Sequence, residues 1–325
     1  MPLAKIQFAP GVNKEGTEYT ADSGWFDSDK IRFRQGRPEK IGGWEKYSQN
    51  YFLGVCRSIH DWASLEAIKY IGLGTNLKFY VNEGNVFNDV TPIRATTTNG
   101  ITFAATDGSS VITATDSSHG CAVNDFVTFS DAVSLGGLIT APVLNQEYQI
   151  ASVPTANTYT IVAKDTAGDA VVANSSDTGN GGSGVDGAYQ INTGLNAVVQ
   201  SSGWGTNSWG SGGFGSATSI ASGGQLRLYS QDNFGEDLLF NPRGGGIYYW
   251  DESSGTSARA VNVTTLGGAS DAPVVALQVM VSDIDQHVIA FGTNPIGSSN
   301  IDPLFVRFSD QENVADWTPR ATNTA

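Results

Sequence analysis

Two stretches of this 325-residue chain carry the same four markers at the same spacing. Leu77 is followed seven residues later by Gly84, then by Phe87 and Asp89; Leu239 is followed seven residues later by Gly246, then by Tyr249 and Asp251. Each stretch reads as a strand, a glycine turn and a return strand. A fainter third echo matches Gly292-Thr293-Asn294 to Gly74-Thr75-Asn76, and Asp316-Trp317-Thr318-Pro319 to Asp89-Val90-Thr91-Pro92. Repeated hairpins with glycine and aromatic markers are the mark of β-propeller blades or solenoids. The second and third aspartates lie 65 residues apart, the first and second 162. Removing the 96 residues from 95 to 190 leaves 66 and restores an even period, so a block inserted into a repeating body is expected.

Charge marks the same block. Residues 1–94 hold 12 basic and 11 acidic residues, 95–190 hold Lys164 against nine acids, and 191–325 hold five basic and 12 acidic. The block opens with Ala95-Thr96-Thr97-Thr98-Asn99-Gly100 and ends with Gly179-Asn180-Gly181-Gly182-Ser183-Gly184, both of which read as linker or turn. Between them, 110–115, 126–129, 147–153 and 158–163 have the β-branched and aromatic content of strands, enough for a small barrel or sandwich. Charged residues make up only 15 % of the chain and aromatics 10 %, and 39 residues are glycine. Tightly turned strands suit that mixture and helix bundles do not. The fold class expected is all-β: a β-propeller-like body of repeated hairpins (51–95 and 190–325), an inserted small β-domain (96–189) and an N-terminal docking segment (1–50). Three copies fall short of the ~4–8 blades of a closed ring, so the chain is expected to be the front part of a longer protein.

Few residues point to chemistry. Gly179–Gly184 and Gly210–Gly215 match G-x-G-x-x-G, but neither is followed by a helical period, so linkers are the better reading. His119, Cys121 and Asp125 are too few for zinc, and a turn ahead of the strand at Phe126 suits them better. His60 beside Asp61, and His287 near Asp283 and Asp285, lack any nucleophile motif nearby. Ser309-Asp310 with Trp317 loosely resembles an Asp-box, a structural turn, without its glycine. No catalytic residue, metal or cofactor is expected. A net charge of −14 argues against a general grip on DNA.

One segment is concentrated in basic residues, from Lys30 to Lys40. On a strand, Lys30, Arg32 and Arg34 face one way and Ile31 and Phe33 the other. With Arg37 and Trp44 they are candidate contacts to a neighbouring subunit, since the chain is acidic overall; the plainer reading is a solvated strand face, and contact with DNA comes third. Trp204, Trp209 and Phe214, spaced at five residues among glycines and serines, are candidate loop anchors. The alternative for Trp204 and Trp209 is a stacking platform for sugars.

The run Phe8–Glu15, the run Gly24-Trp25-Phe26-Asp27-Ser28-Asp29-Lys30-Ile31-Arg32-Phe33-Arg34 and Gly42-Gly43-Trp44 resemble tail proteins of double-stranded DNA phages. Leu73–Lys78, Ser230–Asp237 and Asn241–Asp251 narrow the resemblance to the tail nozzle proteins of short-tailed phages, also called tail tubular or DNA-stabilisation proteins. It covers roughly 8–94 and 190–325. It implies a virion protein, made in the host cytoplasm, with a propeller-containing body. Its partners would be other copies of itself in a hexameric ring, the tail adaptor and other tail proteins, and genomic DNA passing through the lumen without sequence-specific binding. No membrane insertion is implied. The alternative function is a receptor- or glycan-binding tail component.

Overall fold

The computed structural model describes residues 9–20, 24–43, 45–194 and 227–325. Two units separate, Met1–Gln49 and Asn50–Ala325. In the first, β1 (Ile31–Arg34) pairs antiparallel with β2 (Arg37–Lys40). Gln35 (φ 51°) and Gly36 (φ 75°) are both left-handed, as a two-residue hairpin turn that follows the strand twist requires. Phe33 packs on Trp25 with ring centroids 6.1 Å apart.

The second unit is all-β, with curled sheets that include a half-barrel. Its first sheet is an antiparallel meander of β3 (Cys56–Ala63), β4 (Lys69–Thr75), β5 (Phe79–Glu83) and β6 (Val86–Asp89). Then β7 (Ile93–Ala105), β8 (Val111–Thr115), β9 (Phe126–Ser130), a helical turn α1 (Ala141–Leu144), β10 (Glu147–Gln149), β11 (Ser152–Thr155), β12 (Thr158–Val162) and β13 (Asp177–Gln190) follow. These strands form a seven-stranded sheet ordered β10-β9-β13-β7-β8-β12-β11. A second meander joins β14 (Tyr229–Phe234), β15 (Asp237–Pro242), β16 (Tyr248–Trp250) and β17 (Val261–Asn262). A third has β18 (Gln278–Val281), β19 (Val288–Phe291) and β20 (Val306–Phe308).

The seven-stranded sheet closes on its own core, built by alternating inward residues such as Ile101, Phe103, Ile112, Phe129, Tyr159 and Val185. The stretches read as linkers, Ala95–Gly100 and Gly179–Gly184, are strand instead: they lie in β7 and β13, which pair with each other. The glycines there serve packing. A Cβ on Gly187 would stand 2.3 Å from Ile101 Cδ1, and one on Gly181, at φ 72°, 2.7 Å from Phe103. Register shifts along the pair absorb the left-handed residues, as bulges do.

The three meanders stack. In β15, Leu238 and Phe240 turn toward the first meander, where they join Tyr70, Phe79 and Val81. Leu239, between them, turns the other way and joins Val279, Val281, Val288 and Ala290 of the third. Strand β15 of the middle sheet is thus buried on both faces, which accounts for an apolar run where half-buried strands alternate. Phe79 and Phe240 stack across the first joint with centroids 3.7 Å apart and planes 4° from parallel.

The matched spacings do not mark equivalent hairpins. Leu77–Asp89 spans the β5–β6 turn, in which Gly84 (φ 55°) and Asn85 (φ 69°) make a tight corner. Leu239–Asp251 spans β15–β16, whose connection is longer and turns at Gly244 (φ 70°), with Gly246 packed against Asn262 and Tyr248. The fainter echo has the better structural footing. Gly74-Thr75-Asn76 and Gly292-Thr293-Asn294 both close the second strand of their meanders. Asn76 Oδ1 accepts the Val55 N–H at 2.6 Å and Asn294 Oδ1 that of Val274 at 3.0 Å, each just ahead of the first strand. One asparagine thus pins the chain entering the sheet to the far end of the second strand.

A buried cation ties the first meander to the seven-stranded sheet. Lys78 Nζ lies 2.6 Å from Asp89 Oδ2 and 2.6 Å from Glu147 Oε2, and 4.6 Å above the Phe126 ring. Arg259 reaches the same Asp89 oxygen at 3.3 Å, and Gln190 Nε2 donates to Glu147 at 2.6 Å. Burial raises the Asp89 pKa. The Lys78 and Arg259 charges and hydrogen bonds from Lys78 and Thr91 lower it by more, so the net value lies below the ordinary one.

Two outcomes follow from this packing. Phe240→Ala is expected to destabilise the protein by about 3–5 kcal/mol, read from denaturant unfolding, because the stacked joint cannot collapse around the void. Asp89 holds its proton less tightly folded than unfolded, so its contribution is complete above the ordinary aspartate value, about 3.9, and is lost as pH falls through the folded value. The melting temperatures of wild type and Asp89→Asn should therefore converge as pH is lowered from 7 toward 3. A constant gap would contradict the assignment.

Candidate functional site

The first strands of the three meanders, β3, β14 and β18, are edge strands of their own sheets. An edge strand presents N–H groups without ladder partners. Here β14, with the sequence Tyr229-Ser230-Gln231-Asp232-Asn233-Phe234, supplies them from side chains. Ser230 Oγ accepts from the Val279 N–H at 2.9 Å, and Asp232 Oδ2 from the Val281 N–H at 2.8 Å. The alternate residues point to the other neighbour. Gln231 Nε2 donates to Ser58 Oγ at 2.6 Å, and His60 Nε2 lies 2.6 Å from Asn233 Oδ1. Period-two alternation thus lets one polar strand bind a sheet on each side. Gly72 makes room for it, since a Cβ there would stand 2.4 Å from Gln231 Oε1.

The same three strands line a trough of about 910 Å³. Ser58 and His60 come from one wall, Ser230 and Asp232 from the floor, and Gln278 and Met280 from the other wall. Arg243 also lines it. The polar groups of Ser230 and Asp232 on the floor are already hydrogen-bonded across the joint between sheets. His60, beside Asp61 in sequence, bonds to Asn233 and stacks on Trp62 at 5.9 Å.

The other marked residues are dispersed. His119 is buried, and its Nδ1 accepts the Cys121 N–H at 3.1 Å. Arg94 Nη2 donates to His119 O at 2.7 Å and approaches Cys121 Sγ at 3.2 Å. Burial outweighs Arg94 and pushes the Cys121 thiol up to about 12, so it stays protonated and unreactive at neutral pH. Asp125 Oδ2 accepts from the Ala122 N–H, closing the turn that leads into β9. Among the described residues no group of three or more His, Cys, Asp or Glu is arranged to hold a metal ion. Among those residues, too, no helix is long and apolar enough to cross a membrane.

In the N-terminal hairpin, Arg32 and Arg34 are exposed while Ile31 and Phe33 are half-buried, the alternation a strand imposes. Arg32 Nε meets Glu39 Oε2, directly across the ladder, at 3.3 Å. Arg34 stands opposite Arg37, so two like charges share the tip. Lys30 precedes the strand at φ 56°, and its ammonium lies 3.8 Å from Asp29. The pleat therefore sets the facing of Arg32 and Arg34 but not that of Lys30. Trp44, Trp204, Trp209 and Phe214 lie outside the described residues. The residues that sequence reasoning missed are Ser230–Asn233 as a joint. Their one signal was a run of four short polar side chains inside an otherwise strand-like pattern.

No family model and no curated protein matches this sequence. Among solved structures the chain is similar to the Phage phi92 endosialidase, at 14 % identity and a TM-score of 0.24, over 87 % of this chain and 39 % of that one. The chain thus spans about two-fifths of the length of that protein.

Asp232→Ala removes the acceptor for the Val281 N–H and is expected to cost about 1–3 kcal/mol of stability. Chemical denaturation of the variant, with Asp232→Asn retaining most of the effect of the native oxygen, checks this. A neutral Asp232→Ala would remove this bond from the joint.

Proposed function

We propose that the chain is a structural subunit of a phage tail, of the nozzle type, which assembles with copies of itself, six in number, into a ring that conducts the genome below the portal and adaptor. The observation that carries the reading is where the resembling runs fall. Leu73–Lys78 closes β4 and supplies the buried cation. Ser230–Asp237 is the polar joint strand and the turn after it. Asn241–Asp251 carries the chain from β15 through β16. The resemblance thus lies in residues that hold sheets together, as suits a structural protein.

The charge supports the same reading. A conduit must pass DNA without retaining it, and a chain of net −14 repels phosphate. In this reading 96–189 is an inserted β-domain carried by the body, 1–50 is a docking segment, and the protein resides in the virion. The exposed arginines of the hairpin supply a contact to acidic surface on an adjoining subunit. One exposed pair contributes only about 0.2–1 kcal/mol, so such charges tune association and leave the fold intact.

Reversing Lys30, Arg32 and Arg34 together to glutamate is expected to weaken ring assembly or docking while the monomer stays folded. Light-scattering mass and circular dichroism of the triple variant are the measurements. Unchanged assembly would exclude the hairpin from the interface, and an unfolded monomer would make it core. If wild-type particles assemble but virions lacking the chain fail only in host adsorption, the receptor-binding alternative is the correct one.

A further inference from the structure

Two Asn-Gly pairs occur in the chain, Asn99-Gly100 and Asn180-Gly181. Both fall in the long antiparallel pair of the seven-stranded sheet, the first in β7 and the second in β13. Asparagine is a chemically labile residue, and a following glycine leaves it most open to attack, because no side chain shields the glycine nitrogen. That nitrogen can reach the asparagine side-chain carbonyl and close a succinimide ring. In a folded chain the ring closes only where the peptide between the two residues is free to turn, which is a local opening of the structure. The two pairs have the same sequence, and their places in the sheet differ.

Asn99 sits where the ladder skips. The register runs from Ile101↔Val185 to Thr97↔Gly187, so Thr98, Asn99 and Gly100 face Asp186 alone. On the other side β7 pairs with β8 from Thr102 onward. Among the described residues, therefore, neither Asn99 nor Gly100 has a ladder partner, as in a bulge. Both are exposed. Asn99 takes φ 53°, the left-handed conformation that asparagine tolerates. Its N–H donates to Asp186 Oδ1 at 2.7 Å, and Asp186 is itself in register with Ser130 of β9. That bond holds the peptide ahead of Asn99 and leaves the one after it to turn.

Asn180 is placed otherwise. It is in register with Phe103 of β7. The carbonyl of Gly181 accepts the Val133 N–H at 2.7 Å. Gly181, at φ 72°, lies so close to the buried Phe103 ring that a Cβ would stand 2.7 Å from it. Turning the Asn180–Gly181 peptide would break the register and drive the chain into that ring.

We infer that Asn99 is a site of spontaneous deamidation, and that Asn180, with the same neighbour, is protected by its packing. Hydroxide takes the Gly100 N–H proton and the nitrogen attacks Asn99 Cγ. The new N–Cγ bond forms as the Cγ–Nδ2 bond breaks, and the departing nitrogen takes a proton from water and leaves as ammonia, which restores the hydroxide. Water then opens the ring at either carbonyl, giving aspartate or isoaspartate at position 99. Either product sets a second carboxylate beside Asp186, where a neutral amide stood, and like charges at short range repel. Isoaspartate also carries the main chain through the side-chain carbon and lengthens the bulge. The site needs no partner and holds whether or not the chain assembles into a ring.

The test incubates the full wild-type chain at mildly alkaline pH, once folded and once in guanidinium chloride, with circular dichroism to confirm each state. Peptide mapping by mass spectrometry follows the amide-to-acid mass gain at both asparagines and separates isoaspartyl peptides. Each site's folded rate is divided by its own rate in denaturant, which removes the effect of local sequence. The quotient for Asn99 should exceed that for Asn180 by about tenfold or more. An Asn99 that stays an amide in the folded chain would overturn the inference. So would quotients that are equal, or larger for Asn180.

Discussion

The structure depends on a central strand, β15, that has no solvent face. Leu238, Leu239 and Phe240 are buried in succession because β15 lies between two other sheets. At about 25 cal/mol per Å² of apolar surface, such a strand contributes from both faces, and it fixes the spacing of its neighbours on both. The stacked Phe79–Phe240 pair and the valine set around Leu239 are the two consequences. Any sheet packed this way must also satisfy the exposed N–H groups of the edges it brings together. The polar residues of β14 meet that demand on the third-meander side with Ser230 and Asp232, and Gln231 and Asn233 bond to side chains of the first.

The second constraint is electrostatic. Placing Lys78 out of water is unfavourable unless its three protons have acceptors, and Asp89 and Glu147 provide carboxylates from two different sheets. Arg259 and Gln190 then complete the carboxylates themselves. The network gives the seven-stranded sheet a specific point of attachment, where apolar contact alone would allow sliding. Its members come from residues 78, 89, 147, 190 and 259, so it exists only once the chain has folded.

The side chains singled out by chemistry lie mostly in joints and turns. Near Arg94 the His119 imidazole is buried and the Cys121 thiol half-buried in a turn, and Ser58, Ser230, Gln231 and Asp232 in the trough between first strands are hydrogen-bonded across the joints. In the reading proposed above, an acidic, sheet-built body suits the passage of a polyanion.

Local chemistry settled a good deal from the sequence alone. β-branched and aromatic runs separated by glycine gave an all-β chain, and the strands around 111, 126, 147 and 158 could be placed because alternation with period two is a property of the strand itself. The facing of Arg32 and Arg34 against Ile31 and Phe33 was legible for the same reason. Other features required the tertiary structure. Gly179–Gly184 has the composition of a linker, and only the nearness of Ile101 and Phe103 explains why a strand needs its small residues. The spacing shared by Leu77–Asp89 and Leu239–Asp251 counts residues along the chain, whereas a hairpin is defined by register across it, and the two registers differ. Ser230–Asn233 became a joint because packing set two foreign strands on either side of it. A sequence fixes which way successive side chains point; what they meet there is decided by the sheets that arrive from elsewhere in the chain.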